Sequence, residues 1–200
     1  MSKTTWGLSC CAMVLLAAGC PSGVPVLRMI YNQGNFGNDA YVSILDGVDH
    51  TPSPQAADGF VLGGESPEIR VIQWWGTQDP AFSDEDDFVI RIFEDDGAGL
   101  PNRVPLYSIP VGAATRTDTG DTAKPEMGSW PIFEYSVELI PFDLEPGVPY
   151  YLSIVNTTGH DWVWMWTDGV GVEMEACTRL ADDEDWTAPL THDVAFRLWR

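Results

Sequence analysis

The feature that most constrains this chain is an alternation of apolar and polar residues with a period of two, interrupted every few residues by turn formers. The chain contains 19 glycines and 15 prolines, and no stretch of twelve or more residues shows the helical period of 3.6. Because a proline inside a helix costs about 3 kcal/mol, long helices are excluded. Segments such as Phe88–Phe93, in which Phe88, Ile90 and Ile92 share one face, are typical of β-strands.

About ten short segments of this kind follow one another, separated by turn signals such as Gly63-Gly64 and Glu145-Pro146-Gly147. Short strands without intervening helices predict an all-β fold, an antiparallel β-sandwich. A chain of 200 residues, 44% of them hydrophobic, is long enough for one domain with a sizeable core. The predicted strands are Val26–Tyr31, Tyr41–Leu45, Gly59–Leu62, Glu68–Trp75, Phe88–Phe93, Val104–Val111, Ile132–Leu139, Tyr150–Val155, Trp162–Trp166 and Val194–Trp199.

The first twenty residues indicate export. One cation, Lys3, precedes the apolar run Cys10–Ala18, which is typical of a secretory signal and too short to span a membrane. The end of this run, Leu16-Ala17-Ala18-Gly19-Cys20, resembles the bacterial lipobox, although Ala17 stands where leucine is usual. The resemblance implies that Cys20 is acylated and becomes the first residue of the mature protein. An ordinary cleaved signal that happens to contain Cys20 remains the alternative.

These observations predict three parts: a signal peptide over residues 1–19, an anchor and short N-terminal segment over 20–39, and a single sandwich domain over 40–200. Several acyl chains on Cys20 would hold the protein durably at a membrane. Pro21 follows that cysteine in place of the aspartate that retains some lipoproteins in the inner membrane. We therefore expect an extracytoplasmic protein, lipid-anchored to a bacterial membrane at the outer membrane or cell surface.

The net charge of the chain limits the classes of molecule that it can bind. Ten basic residues against 30 acidic ones give a formal net charge of −20. Nucleic acid is excluded as a partner because phosphate binding needs clustered cations, and an anionic membrane face would repel the chain as a whole. Once Cys10 and Cys11 leave with the signal and Cys20 carries lipid, Cys177 remains alone. We therefore expect no intramolecular disulfide and an inert, buried thiol at Cys177.

Three segments look like successive strands of a domain found in secreted bacterial surface proteins: Gln55–Leu62, Val71–Gly76 and Asp86–Phe93. The resemblance covers roughly Ala40–Arg200, and Gly59 departs from it where a second aspartate is more usual. The domain is similar in style to jelly-roll sandwiches that bind carbohydrate. The resemblance thus implies a jelly-roll-like fold and a glycan as a candidate ligand, and it assigns no catalytic residue.

Tryptophan supplies the strongest candidate for ligand contact, with nine residues in the chain. Trp162, Trp164 and Trp166 would share one face of a strand, at a spacing that would suit stacking on successive sugar rings. The other face of that strand is also apolar, which favours a central, buried strand over such a platform. Trp74 and Trp75 are adjacent and must point to opposite faces. We predict that one of this pair is exposed and is the candidate ligand-binding aromatic.

Acidic clusters suggest a second kind of site. Asp84, Asp86 and Asp87 precede one predicted strand, and Asp95 and Asp96 follow it. Calcium prefers six to eight oxygen ligands, and weak calcium sites suit extracellular modules, so these carboxylates are candidate ligands. The two clusters stand about 17–20 Å apart across the strand and cannot share one ion. Solvated turns that carry charge for solubility are the alternative.

No motif indicates an enzyme: H-E-x-x-H, C-x-x-C and G-x-S-x-G are all missing from the sequence. Three functions stay open. The first is a non-catalytic lipoprotein that binds carbohydrate, and the second is a structural module that contacts another protein of the cell envelope. The third is a polysaccharide hydrolase, which would need two carboxyl groups about 5–10 Å apart across a cleft.

Overall fold

The computed structural model describes residues 26–44, 53–64, 68–82, 86–124, 128–158, 162–167, 174–187, 190 and 192–200. Within these ranges the chain forms two antiparallel sheets of seven and five strands, packed as a sandwich, which confirms the predicted all-β fold. No helix in these ranges is long and apolar enough to cross a membrane. The predicted signal peptide and Cys20 lie outside the described residues.

In the described part of the chain, twelve strands build the two sheets, and a three-residue 3-10 turn, Pro80–Phe82, follows the fourth. The strands are β1 (Met29–Asn32), β2 (Phe36–Val42), β3 (Gln55–Val61), β4 (Glu68–Gln78), β5 (Phe88–Glu94), β6 (Tyr107–Gly112), β7 (Thr115–Thr122), β8 (Pro131–Asp143), β9 (Pro149–Asn156), β10 (Trp162–Thr167), β11 (Cys177–Arg179) and β12 (Phe196–Trp199).

Strand β4 organises the seven-stranded sheet. It pairs with β8 along one edge, and with β12 and then β10 along the other. Beyond these, β1 pairs with β12, β2 with β10 and β7 with β8. The five-stranded sheet has the order β11-β3-β9-β5-β6. Since β4 is 11 residues long, it spans both halves of the larger sheet and aligns the β1–β12 pair with the β2–β10 pair.

The core lies between the inner faces of the two sheets. Trp162 and Trp164 of β10 are fully buried there, and Trp164 donates its indole N–H to the carbonyl of Ala195 at 2.9 Å. The intervening Val163 and Met165 are buried on the opposite face of the strand. Strand β10 lies between β4 and β2, so the predicted central, buried strand is confirmed.

Several strand boundaries differ from the sequence-based prediction. Strands β7 and β11 were not predicted, because β7 (TRTDTGDT) carries no apolar residue and β11 is only three residues long. Strand β2 begins at Phe36, inside a stretch that reads as a loop, and β3 begins four residues before Gly59. Because β1 pairs with β12, the sandwich also includes residues that precede Ala40.

Close packing against Met174 explains why position 59 is a glycine. A Cβ atom at Gly59 would lie 2.9 Å from Cε and 3.0 Å from Sδ of Met174, and closer still to the Met174 Cβ. No real Cβ makes contacts this short, so a larger residue would displace Met174. An aspartate at this position therefore does not fit beside Met174.

Candidate functional site

A cavity of about 530 Å³ opens on the outer face of the seven-stranded sheet. Residues from three separate parts of the chain surround it: the start of β2, the end of β7 and the beginning of β8. They meet because the hairpin between β7 and β8 folds back towards β2, where the amide of Lys124 donates to the carbonyl of Asn38 at 2.9 Å. The lining residues are Asn35, Phe36, Gly37, Asn38, Asp121, Thr122 and Ile132.

Two apolar residues that line this β2–β7 cavity, Phe36 and Ile132, belong to a small apolar cluster outside the main core. The cluster also contains the buried Trp75, Met165 and Ala195. Phe36 stacks on the Trp75 indole with ring centroids 5.7 Å apart, and it is only half-buried, so part of its ring remains accessible. The cavity therefore has an accessible aromatic ring that packs on a buried apolar cluster.

The predicted exposure of one indole in the Trp74–Trp75 pair is wrong. The two residues do point to opposite faces, since Trp74 packs in the main core and Trp75 in the outer layer. Trp74 is fully buried, however, and Trp75 is only 2% exposed. Phe36 covers one part of the Trp75 ring, and the Arg197 guanidinium lies over it 4.7 Å from the centroid. Because Phe36 and Arg197 are far from Trp75 in the sequence, no local pattern predicts that they bury its indole.

The rim of the cavity is polar and largely uncharged. Asn38, Asp121 and Thr122 are exposed there. Asn35 is held in place because its Oδ1 accepts a hydrogen bond from Arg197 Nη2 at 3.0 Å. Of the described residues that line the cavity, Asp121 is the one carboxylate. Amide, hydroxyl and carboxylate groups around an aromatic ring can hydrogen-bond a polyhydroxylated ligand while the ring packs against its apolar face.

The candidate calcium ligands do not converge in the described structure. Asp86 accepts hydrogen bonds from Arg116 and Asn156, and Asp87 accepts one from the Thr157 hydroxyl at 2.6 Å. Asp84 lies outside the described residues. No group of three or more His, Cys, Asp or Glu side chains in the described ranges is arranged to hold a metal ion.

Asp95 and Asp96 stabilise the turn that follows β5. The Asp95 carboxylate accepts the amide of Gly97 at 2.7 Å, and the Asp96 carboxylate accepts the amides of Ala98 and Leu100 at 2.7 and 3.2 Å. Such bonds from backbone amides to aspartate are the usual way in which aspartate builds a turn. Calcium binding at either acidic cluster stays a prediction.

A buried carboxyl pair lies elsewhere, between β3 and β12. Asp58 is fully buried and accepts hydrogen bonds from the amides of Gly59 and Val194 and from the Gln33 side chain. Burial, reinforced by the nearby Asp193 carboxylate, raises the pKa of Asp58 well above its ordinary value. Because Asp58 is enclosed by protein and accepts the amide of Val194, it positions the segment that leads into β12.

A second polar cluster joins β11 to β5 on the outer face of the smaller sheet. Arg91 and Arg179 both donate to the carboxylate of Asp182, and the Arg179 guanidinium lies 4.6 Å from the centroid of the Trp186 ring. Partial burial alone would raise the pKa of Asp182, but hydrogen bonds from Arg91 and Gln55 outweigh burial and lower it. A smaller cavity of about 150 Å³ lies beside Trp186.

Cys177 is 1% exposed, and burial raises the pKa of its thiol. Its Sγ lies 3.7 Å from the carbonyl oxygen of Ala57. A buried thiol with a raised pKa is a poor nucleophile, which agrees with the predicted inert cysteine.

The sequence did not single out the residues of the β2–β7 cavity. Phe36 and Asn38 fall in a glycine- and asparagine-rich stretch, and Asp121 and Thr122 end a strand without apolar residues. About 80 residues separate the two groups, and only the fold of the β7–β8 hairpin brings them together. No protein-family model, no curated protein and no solved structure matches this chain.

Proposed function

We propose that this protein is an extracytoplasmic lipoprotein, anchored by lipid on Cys20, whose β-sandwich binds a neutral glycan in the β2–β7 cavity. The observation that carries the binding proposal is the half-buried Phe36 ring, set beside the exposed Asn38, Asp121 and Thr122 in one concave surface. The resemblance of three strand segments to a domain of secreted bacterial surface proteins, itself similar in style to carbohydrate-binding jelly rolls, supports the same proposal.

The size and charge of the site support this ligand class. A volume of about 530 Å³ falls within the roughly 300–1,000 Å³ that is typical of small-molecule sites. A sugar ring offers an apolar face for Phe36 and hydroxyl groups for the amide, hydroxyl and carboxylate of the rim. An anionic ligand is disfavoured because the whole chain carries a formal charge of −20 and Asp121 stands at the rim.

Two conservative variants test the glycan proposal on an array of neutral oligosaccharides. Phe36→Leu keeps an apolar side chain but removes the aromatic face, and Asn38→Asp keeps the shape of the side chain but changes its donors. Both variants should lose at least tenfold in affinity, about 1.4 kcal/mol, with little change in melting temperature.

The matched controls are Phe142→Leu, at another half-buried phenylalanine, and Asn102→Asp, beside the smaller cavity. Both should bind the same oligosaccharides as the wild type. If the Phe36 and Asn38 variants bind as well as these controls, the β2–β7 cavity is not the glycan site.

The lipid anchor is tested separately. Wild-type protein expressed in a bacterial host should partition into the detergent phase, whereas Cys20→Ser should stay in the aqueous phase. A lipoprotein destined for the outer membrane or cell surface should then be found in that fraction. Equal partitioning of the two proteins would refute the anchor.

A second function, contact with another envelope protein, is favoured by exposed apolar residues on the smaller-sheet side. Val104 and Leu180 are 75% and 51% exposed, and the residues that precede them, Arg103 and Arg179, are joined by a hydrogen bond of 3.1 Å. For this function, Val104→Ser with Leu180→Ser should abolish cross-linking to a cell-envelope protein in intact cells. Cross-linking that depends on these two residues, in a wild type that binds no neutral oligosaccharide, would favour assembly over recognition.

A further inference from the structure

One end of the larger sheet combines exposed apolar side chains with exposed arginines. We name it the N-terminal tip: residues Val26–Met29 with their neighbours Trp199 and Arg200. Val26, Leu27 and Met29 are 91%, 48% and 42% exposed, and Met29 is the first residue of strand β1. Met29 pairs with the half-buried Trp199, so an indole stands beside the exposed methionine.

The same tip carries two cations, Arg28 and Arg200. Arg28 and Arg200 exchange two backbone hydrogen bonds, of 2.8 and 2.9 Å, so their side chains project from the same face of the strand pair. Both are exposed, and neither forms an ion pair in the described part of the chain. Most of the other described cations do have an acidic partner: Arg70, Arg91, Arg103, Arg116, Lys124 and Arg179.

Among the described residues, a third cation without an acidic partner is Arg197 of β12, which donates to Asn32 and Asn35. The described cations that lack a carboxylate partner thus lie on β12 or next to the ends of β1 and β12, in a chain with a formal charge of −20. Surface charges act over about 8–10 Å at physiological salt. At that range the tip attracts phosphate groups, although the protein as a whole repels an anionic surface.

The proposed lipid on Cys20 indicates that the partner of the tip is the membrane itself. Only six residue steps separate Cys20 from Val26, and an extended chain covers at most about 3.6 Å per residue, so the tip lies within about 22 Å of the lipid. Exposed aliphatic side chains, a tryptophan and arginines form the combination that settles at the boundary between headgroups and acyl chains.

We propose that, on the lipid-anchored protein, the N-terminal tip lies against the bilayer, with Leu27 and Met29 at the acyl boundary and Arg28 and Arg200 at phospholipid phosphates. This proposal rests on the anchor proposed above. Docking at this tip would hold the sandwich in one orientation on the membrane. The first residue that lines the β2–β7 cavity, Asn35, follows the tip residues Val26–Met29 in the chain and is therefore further from Cys20 in sequence.

A labelling experiment on the mature, lipidated protein tests the docking. Leu27→Cys and Val42→Cys each introduce one reactive thiol, since Cys177 is 1% exposed and Cys20 carries lipid. Val42 is a suitable control because it is 37% exposed, and its register through β10 and β4 places it about 20 Å from the tip. A polarity-sensitive fluorophore on either thiol then reports whether that position meets lipid or water.

The labelled proteins are added to vesicles of phosphatidylglycerol and phosphatidylcholine, and flotation is measured with quenching by aqueous iodide. We expect both proteins to float, with quenching several-fold lower at position 27 than at position 42. Arg28→Gln combined with Arg200→Gln should remove most of this protection on the anionic vesicles. Arg103→Gln should leave the protection unchanged.

The outcomes separate the two proposals. Flotation with equal quenching at positions 27 and 42 refutes docking at the tip and leaves the anchor standing. Failure of the wild type to float refutes the anchor, and the docking with it. Protection that survives the double arginine variant refutes the role given to the phosphate groups.

Discussion

Replacement of Gly76 by alanine tests how tightly the core is packed around β10. A Cβ atom at Gly76 would lie 2.7 Å from Cε2 and 2.8 Å from Nε1 of Trp162, and closer still to Cζ2. Carbon atoms pack favourably at about 3.5–4.0 Å, so the indole would have to move by roughly 1 Å. Trp162 is fully buried and meets the edges of Phe88 and Tyr135, with ring centroids 5.2 and 6.2 Å away, which opposes that movement.

The expected magnitude follows from two opposing effects. Overpacking of a filled core costs about 1–3 kcal/mol. Alanine also restricts the unfolded chain relative to glycine, which stabilises the protein by about 0.4–1 kcal/mol. We therefore expect Gly76→Ala to lower the free energy of unfolding by about 1–2 kcal/mol, which for a domain of this size lowers the melting temperature by about 2–8 °C.

Chemical denaturation followed by tryptophan fluorescence provides the measurement. Gly63→Ala is the matched control, because a Cβ at Gly63 meets no atom within 4 Å and should change stability by a few tenths of a kcal/mol at most. Trp162→Phe removes the outer indole carbon Cζ2. In that background the cost of Gly76→Ala should fall by about 1 kcal/mol. Equal stability of the Gly76 and Gly63 variants would refute the packing argument.

Three further outcomes are expected. Because the pKa of Asp58 is raised in the folded state, its contribution to stability is present below the ordinary aspartate pKa of about 4 and is lost as pH rises above it. The free energy of unfolding should therefore fall less steeply with rising pH in Asp58→Asn than in the wild type. An unchanged slope would contradict this reasoning. Cys177→Ser should cost at most about 1 kcal/mol and reductant should leave the melting temperature of the wild type unchanged, whereas a large drop on adding reductant would reveal an intermolecular disulfide. For the predicted calcium sites, millimolar calcium should raise the melting temperature by mass action and a chelator should reverse the rise, whereas no change on either addition would refute calcium binding at both acidic clusters.

The strand content of the protein could be predicted because alternation and turn residues are local properties. Burial of Trp162 and Trp164 was predictable for the same reason, since apolar residues on both faces of one segment require cover on both sides. Strand β7 could not be predicted, because all of its eight residues are polar or glycine and its pairing with β8 supplies the hydrogen bonds that its side chains do not indicate.

Which aromatic ring stays accessible was decided by the tertiary structure. Sequence alternation correctly placed Trp74 and Trp75 on opposite faces of β4. It could not show that Arg197 and Phe36, from strands β12 and β2, cover Trp75 and that Phe36 becomes the accessible ring. The sequence alone determined the period of the strands, which depends on neighbouring residues, and the acidic charge, which is a sum over the residues. The β2–β7 cavity and the pair of arginines at the N-terminal tip arise from contacts between residues about 80 to 170 positions apart, which only the folded chain brings together.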